Sequence, residues 1–94
     1  MVKDYAEELV ERRAKKNPAM RKMVKAAMAR QELGHVLAKK REKLGMTQAE
    51  VAARMKTSRP VVARIELGGD VQISTLERYL ATMNMELRLS AVTA

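Results

Sequence analysis

The 94-residue sequence contains no cysteine, no tryptophan and no phenylalanine. Without cysteine it can form neither a disulfide framework nor a thiolate metal site. Tyr5 and Tyr79 are its only aromatic residues, so the core of one small domain must come from aliphatic side chains and the eight methionines.

No apolar run approaches the roughly 18–20 residues of a transmembrane helix. The first eleven residues carry four acids and no apolar signal-peptide core, so we expect a cytoplasmic protein.

Groups that could carry catalysis or bind a metal are also scarce. His35 is the only histidine, and the nearest acid, Glu32, lies three residues away on the same predicted helix. The only aspartates are Asp4 and Asp70, and the sequence has no glycine-rich phosphate loop. We therefore expect a protein that is not an enzyme and that binds no cofactor or metal.

The net charge of +8 is concentrated in the middle of the chain. Residues 1–11 carry a net charge of −3, residues 12–64 carry +13 and residues 65–94 carry −2. A basic block between nearly neutral flanks favours a polyanionic partner, although a solvated lysine surface has the same composition. The basic helix predicted over residues 18–30 could also lie on a membrane. Its apolar face offers methionine and alanine without aromatic anchors, so insertion would be weak.

Two or three helices are predicted in the first half of the chain. The first spans Asp4 to about Lys16, and Asn17 followed by Pro18 marks the start of the second. The apolar stripe of this second helix loses its phase near residues 30–34. This slip predicts a kink, or a break into a third helix that ends at Gly45.

Three capped helices are predicted after Gly45. Their N-terminal signals are a Thr47–Glu50 capping box, Ser58 followed by Pro60, and a Ser74–Glu77 capping box. Asn84 is expected to end the last helix.

The C-terminal residues change to a period of two. Met85, Leu87 and Leu89 alternate with polar residues, which predicts a short strand. A lone strand leaves its backbone groups unpaired, so we expect it to pair with the same strand of a second copy or to extend a partner's sheet. A frayed tail is the alternative.

Two of the capped helices, joined by a short turn, form a unit with two distinct faces. Val62 and Ile65 are spaced i, i+3 and predict the buried stripe of the second helix. Pro60 and Arg64 lie on the opposite face, and Arg59 projects from the first turn. A narrow outward face that carries arginines suits a helix that enters a DNA major groove.

The stretch "TQAEVAARMKTSRPVVARIE" resembles the Cro/repressor-type helix-turn-helix of the Xre family. The resemblance implies an all-α, five- to six-helix bundle of the lambda-repressor-like type, with an N-terminal helical extension and a short C-terminal strand. Two positions depart from the family pattern. Lys56 stands where the turn usually has glycine and would require a strained or altered backbone. Leu67 stands where the helix end usually has asparagine.

The resemblance implies roles for individual positions. The base-facing positions are Arg59, Pro60, Val61 and Arg64, of which the arginines can donate to guanine. Gln48 matches the family position that meets the DNA backbone. Further candidates for backbone contact are Thr47, Ser58 and Ser74 at helix N-termini and the basic residues Lys43, Arg54 and Lys56. Each of these basic side chains could equally be solvated. Arg41 and Glu66 match a buried or half-buried ion pair between helices.

The layout of the whole chain resembles HigA-type antitoxins, which bind RelE-like ribonuclease toxins and repress their own operons. It implies a helical extension at 1–33, a DNA-binding domain at 34–84 and a pairing tail at 85–94. The acids Asp4, Glu7, Glu8 and Glu11 share one helical face and could occupy the basic groove of a toxin. They could equally stabilise the start of their own helix.

We therefore expect a dimeric antitoxin that binds a palindromic operator, because one short helix reads only a few base pairs and two copies read two half-sites. The toxin would be a basic RelE/HigB-like protein. The alternative is a stand-alone Xre-family regulator that has no toxin partner.

Overall fold

The computed structural model of the chain describes residues 17–93. Within this range the fold contains four α-helices and no β-strand. The helices are α1 (Pro18–Lys43), α2 (Gln48–Arg54), α3 (Arg59–Glu66) and α4 (Ile73–Ala81). None of them is both long and apolar enough to cross a membrane. The predicted first helix and the acidic residues Asp4, Glu7, Glu8 and Glu11 lie outside the described residues.

Helix α1 is continuous over 26 residues, so the break into a third helix, one of the two alternatives predicted near residues 30–34, is wrong. Asn17 caps the helix as predicted, since its Oδ1 atom accepts hydrogen bonds from the N–H groups of Ala19 and Met20. Gly45 follows the end of the helix with a positive φ of 73°. The helix also crosses the predicted domain boundary between residues 33 and 34. With α1 unbroken, the described chain has fewer helices than the predicted bundle.

The apolar residues of α1 that cause the phase slip, Leu33 and Val36, lie on the surface at 43% and 51% exposure, so they do not mark its buried face. The buried residues of the helix are Gly34, Leu37 and Arg41, which face the rest of the domain. The apolar residues of its first half are more open, and Met23 is 71% exposed. The phase slip therefore reflects exposed apolar residues beside the buried positions, and the helix continues through it.

Helix α1 contacts the end of α3 and the loop that follows it at two glycines, Gly34 and Gly68. A Cβ atom added to Gly34 would lie 2.5 Å from the carbonyl oxygen of Glu66, which ends α3. Gly68 has a φ of +81°, and a Cβ atom there would lie 2.6 Å from Cα of Gln31. These two contacts bring the backbone of α1 against the last turn of α3 and the loop that follows it.

The core draws on all four helices and is filled mainly by aliphatic side chains, as the composition requires. Its buried residues are Leu37, Val51, Ala52, Met55, Val62, Ile65, Tyr79, Leu80 and Met83. Val51, Val62 and Tyr79 are fully inaccessible to solvent. Fully burying such a side chain contributes about 1.5–3 kcal/mol, so this small cluster dominates the apolar stabilisation.

The predicted helix starts are confirmed at α2 and α3 and wrong at α4. The N–H of Glu50 donates to Oγ1 of Thr47, and the N–H of Thr47 donates to Oε1 of Glu50, which completes the capping box. Ser58 occupies the N-cap position of α3, although its side chain makes no capping hydrogen bond. Helix α4 instead begins at Ile73, because the N–H of Leu76 already donates to the carbonyl of Gln72. The predicted Ser74–Glu77 box therefore falls inside the first turn.

The C-terminal residues 85–93 form neither a helix nor a strand. Asn84 precedes them with a φ of +56°, consistent with its predicted role after α4. Met85 and Leu87 are half-buried and pack against the core of their own chain. Leu89 is 67% exposed. The predicted strand is therefore not present in the described chain, because the alternating apolar residues cover its own core first.

The turn between α2 and α3 keeps a glycine-type backbone at Lys56, which is the strained one of the two predicted alternatives. Lys56 has a φ of +56°, a left-handed conformation that favours glycine. Its N–H donates to the carbonyl of Ala53, and the N–H of Thr57 donates to that of Ala52. These hydrogen bonds maintain the conformation despite its cost.

Replacing this lysine with glycine should stabilise the protein. We expect Lys56→Gly to raise the free energy of unfolding by about 1 kcal/mol, since glycine removes the steric cost of the left-handed conformation. Urea denaturation followed by circular dichroism measures the change. Lys56→Ala is the matched control, because it removes the charge and keeps the strain. Equal stability of the two variants would contradict the explanation.

Candidate nucleic-acid interface

A buried ion pair lies at the junction of the four helices. Arg41 and Glu66 are each 8% exposed, and Nε of Arg41 donates to Oε2 of Glu66 at 2.7 Å. A second hydrogen bond joins Nη2 of Arg41 to Oε1 of Glu66 at 3.0 Å. Nη1 of Arg41 donates to the carbonyl of Met46 at 2.6 Å. The side-chain pairing implied by the family resemblance is thus present and bidentate.

Two further donors complete the surroundings of the Glu66 carboxylate. The hydroxyl of Tyr79 donates to Oε2 at 2.6 Å, and the amide of Gln48 donates to Oε1 at 2.9 Å. Each carboxylate oxygen therefore accepts two hydrogen bonds. The resulting network connects the ends of α1 and α3 with the start of α2 and the second half of α4.

These contacts shift the acid–base equilibria of the three titratable residues in the network. Burial by itself would raise the pKa of Glu66. Hydrogen bonds from Arg41, Gln48 and Tyr79, with the charge of Arg41, outweigh burial and lower that pKa below its usual value. Burial and the Glu66 carboxylate raise the pKa of Tyr79 far above its ordinary range. The hydrogen bond to Glu66 raises the pKa of Arg41, although burial opposes it. At neutral pH the network therefore contains a carboxylate, a guanidinium and a neutral phenol.

The network explains how α3 is oriented. Val62, Ile65 and Glu66 are the buried residues of this eight-residue helix. Arg59, Pro60 and Arg64, three of the four predicted base-reading residues, are exposed. Val61 differs from its predicted outward position, because it is half-buried and packs against the core. The exposed face of α3 is consequently narrower than expected and is dominated by the two arginines and Pro60.

The candidates for DNA-backbone contact are spread over several elements. Thr47, Ser58, Ser74 and Lys43 are exposed, but the N–H of Thr47 is already bonded to Glu50. Gln48 is half-buried, and its amide nitrogen donates to Glu66. Its link to the ion pair was not foreseen from the sequence, because Gln48 and Glu66 are 18 residues apart and belong to different helices.

Arg54 and Lys56 lie together with a third cation that the sequence pattern did not single out. All three basic residues line an open cavity of about 420 Å³, and the third is Arg78 on α4. Nη1 of Arg78 donates to the carbonyl of Met55 at 3.2 Å. None of the three forms an ion pair with an acid of the described residues. Arg78 could not be foreseen, because only the packing of α4 against α2 brings it to this surface.

Comparison with known protein families matches much of the helical part of the chain. A family model described as helix-turn-helix matches residues 37–89, more than half of the chain. The match begins within α1, covers α2, α3 and α4, and includes Arg41 and Glu66. A search of curated proteins found no match.

Removing the negative charge of Glu66 should destabilise the fold. We expect Glu66→Gln to lower the free energy of unfolding at pH 7 by about 3 kcal/mol, since it leaves the buried Arg41 charge uncompensated. Urea denaturation measures the loss. Glu42→Gln is the matched control, because Glu42 is exposed and its Oε1 lies 3.9 Å from Nη2 of Arg41. This surface change should cost less than about 0.5 kcal/mol.

The buried carboxylate of Glu66 should also make the free energy of unfolding depend on pH. The folded-state pKa of Glu66 is lowered, so the stability that its carboxylate contributes is fully present above the ordinary pKa of 4.5. This stability is lost as the pH falls below 4.5. The stability difference between the wild type and Glu66→Gln should therefore shrink between pH 5 and acid pH. A difference that stayed constant over this range would contradict the assigned charge state.

Proposed function

The chain belongs to the helix-turn-helix family, in its Xre/Cro type, and we propose that it is a dimeric repressor that reads its operator with α3. The observation that carries this proposal is the division of α3 into two faces. Glu66 on the buried face forms the ion pair with Arg41, while Arg59 and Arg64 are exposed on the opposite face. A recognition helix needs this arrangement, because its base-reading side chains must project from a fixed support.

The exposed side chains of α3 favour particular contacts in the major groove. Each arginine can donate two hydrogen bonds to O6 and N7 of a guanine. Pro60 has no backbone N–H and offers only an apolar surface, which suits a thymine methyl group. Val61 can contribute only the part of its side chain that the core leaves accessible. Sequence preference would then depend mainly on Arg59 and Arg64.

Dimerisation follows from the small size of this reading surface. One eight-residue helix contacts a few base pairs, and two copies would read half-sites about one helical turn apart. The C-terminal residues contribute to the dimer in this proposal, through Leu89 and the residues after it. Met85 and Leu87 already cover the core of their own chain, so a paired segment would begin beyond them.

We further propose that the repressor is an antitoxin. The support is the resemblance of the layout to HigA-type proteins and the four acids at positions 4–11, which complement a basic ribonuclease. A stand-alone regulator would bind the same DNA and would form no complex with a toxin. The two candidates share the geometry of α3 and differ only in the protein partner.

Arg64 provides the direct test of DNA reading. We expect Arg64→Ala to reduce the preference for the DNA upstream of its own gene over a scrambled duplex by about 1–3 kcal/mol, because a bidentate base contact is lost. Gel shifts at fixed salt measure the preference. Lys39→Ala is the control, since Lys39 is exposed on α1 and should affect both duplexes slightly and equally. Unchanged discrimination by Arg64→Ala would refute the base-reading role.

Co-expression with the neighbouring small reading frame tests the antitoxin proposal. We expect the two proteins to co-purify, and we expect reversal of Glu7, Glu8 and Glu11 to lysine to weaken the complex by charge repulsion. Reversal of Glu77, which is exposed on α4, is the matched control. If the neighbour neither co-purified nor was neutralised, the stand-alone regulator would be the correct alternative.

A further inference from the structure

An open groove of about 620 Å³ separates the first half of α1 from the outward face of α3. Pro60 and Arg64 of the proposed reading surface form one wall, together with Leu67. Arg30 and Gln31 of α1 form the other wall. The groove is therefore continuous with the face that α3 presents to DNA in the proposed function.

Arg30 is positioned in this groove by the loop that follows α3. Its Nε atom donates to the carbonyl of Gly68 at 3.4 Å, and the side chain remains exposed. Gly68 in turn lies directly against the backbone of Gln31. This close packing sets Arg30 beside the end of the recognition helix, although the two are far apart in sequence.

The charge of the groove is predominantly positive. Arg30 and Arg64 lie on opposite walls, and Asp70 is the acid that lines the groove. Leu67, which is 77% exposed, adds an apolar surface that can pack on a sugar. Phosphate and deoxyribose are the groups that such a surface fits.

We propose that this groove receives the sugar–phosphate backbone beside the bases read by α3, and that Arg30 donates to a phosphate there. The inference rests on the proposed function and extends it. Arg30 lies before the segment matched by the helix-turn-helix family model, residues 37–89, so the matched domain does not account for this contact. Duplex DNA is the occupant because one wall of the groove is the reading face itself. The contact with DNA would thus extend onto the N-terminal extension.

The salt dependence of DNA binding tests this contact. We expect Arg30→Ala to weaken binding to operator and scrambled DNA by about fivefold at 150 mM salt and to reduce the slope of log K against log[salt] by about 1. Arg30→Lys should retain the slope, because it keeps the charge and loses the planar guanidinium. Lys25→Ala is the matched control, since Lys25 lies about 140° around α1 from Arg30. It should leave the slope unchanged.

The outcomes separate this inference from the proposed function. If the wild type discriminates the operator and Arg30→Ala keeps the wild-type slope, DNA does not contact Arg30 and the inference is overturned. It is also overturned if Arg30→Lys loses as much slope as Arg30→Ala, because the role would then be to hold the Gly68 loop, or if Lys25→Ala matches the loss. If the wild type does not discriminate the operator at all, the proposed function itself fails. Thermal unfolding of each variant checks that the fold is retained.

Discussion

The carboxylate of Glu66 is the point on which the arrangement of the helices depends. It ends α3 and accepts four hydrogen bonds, from the side chains of Arg41, Gln48 and Tyr79. These donors belong to three other helices and approach from fixed directions. A buried ion pair adds little net stability when compared with apolar side chains of similar volume, but losing one partner is costly. The main effect of the network is therefore geometric: it sets the orientation of α3 relative to its neighbours.

Such a constraint matters because the rest of the core is small and aliphatic. Helix α3 has eight residues, too few for a stable isolated helix. Val62 and Ile65 bury it, yet aliphatic contacts are non-directional and tolerate some rotation about the helix axis. The hydrogen bonds of Glu66 and the backbone contact at Gly34 restrict that rotation. Arg59 and Arg64 project from the exposed face of α3. The orientation of this face is therefore set by contacts on the opposite, buried side of the helix.

Features encoded by neighbouring residues could be predicted from the sequence, and features that join distant residues could not. The Asn17 cap, the Thr47–Glu50 box and the strained Lys56 involve interactions within a few residues, and the structure contains all three. The Arg41–Glu66 pair was predictable only through the family resemblance. The contributions of Gln48, Tyr79 and Arg78 depend on how separate helices pack, for which a single sequence carries no signal. Val62 was predicted to be buried and Val61 to face outward. Val62 is buried, but Val61 is half-buried and packs against the core.

Two of the predictions that the structure does not bear out, the C-terminal strand and the break in α1, share one cause. Periodicity shows which residues of a segment face the same way, but it does not show which surface they face. In the C-terminal residues the period of two is real, and it places Met85 and Leu87 on the chain's own core instead of in a strand. In α1 the change of phase comes from Leu33 and Val36, which lie on the surface, and the helix continues through it. The first half of α1 consequently carries exposed basic and apolar residues that the described core does not bury, and the groove beside α3 brings Arg30 next to the reading face.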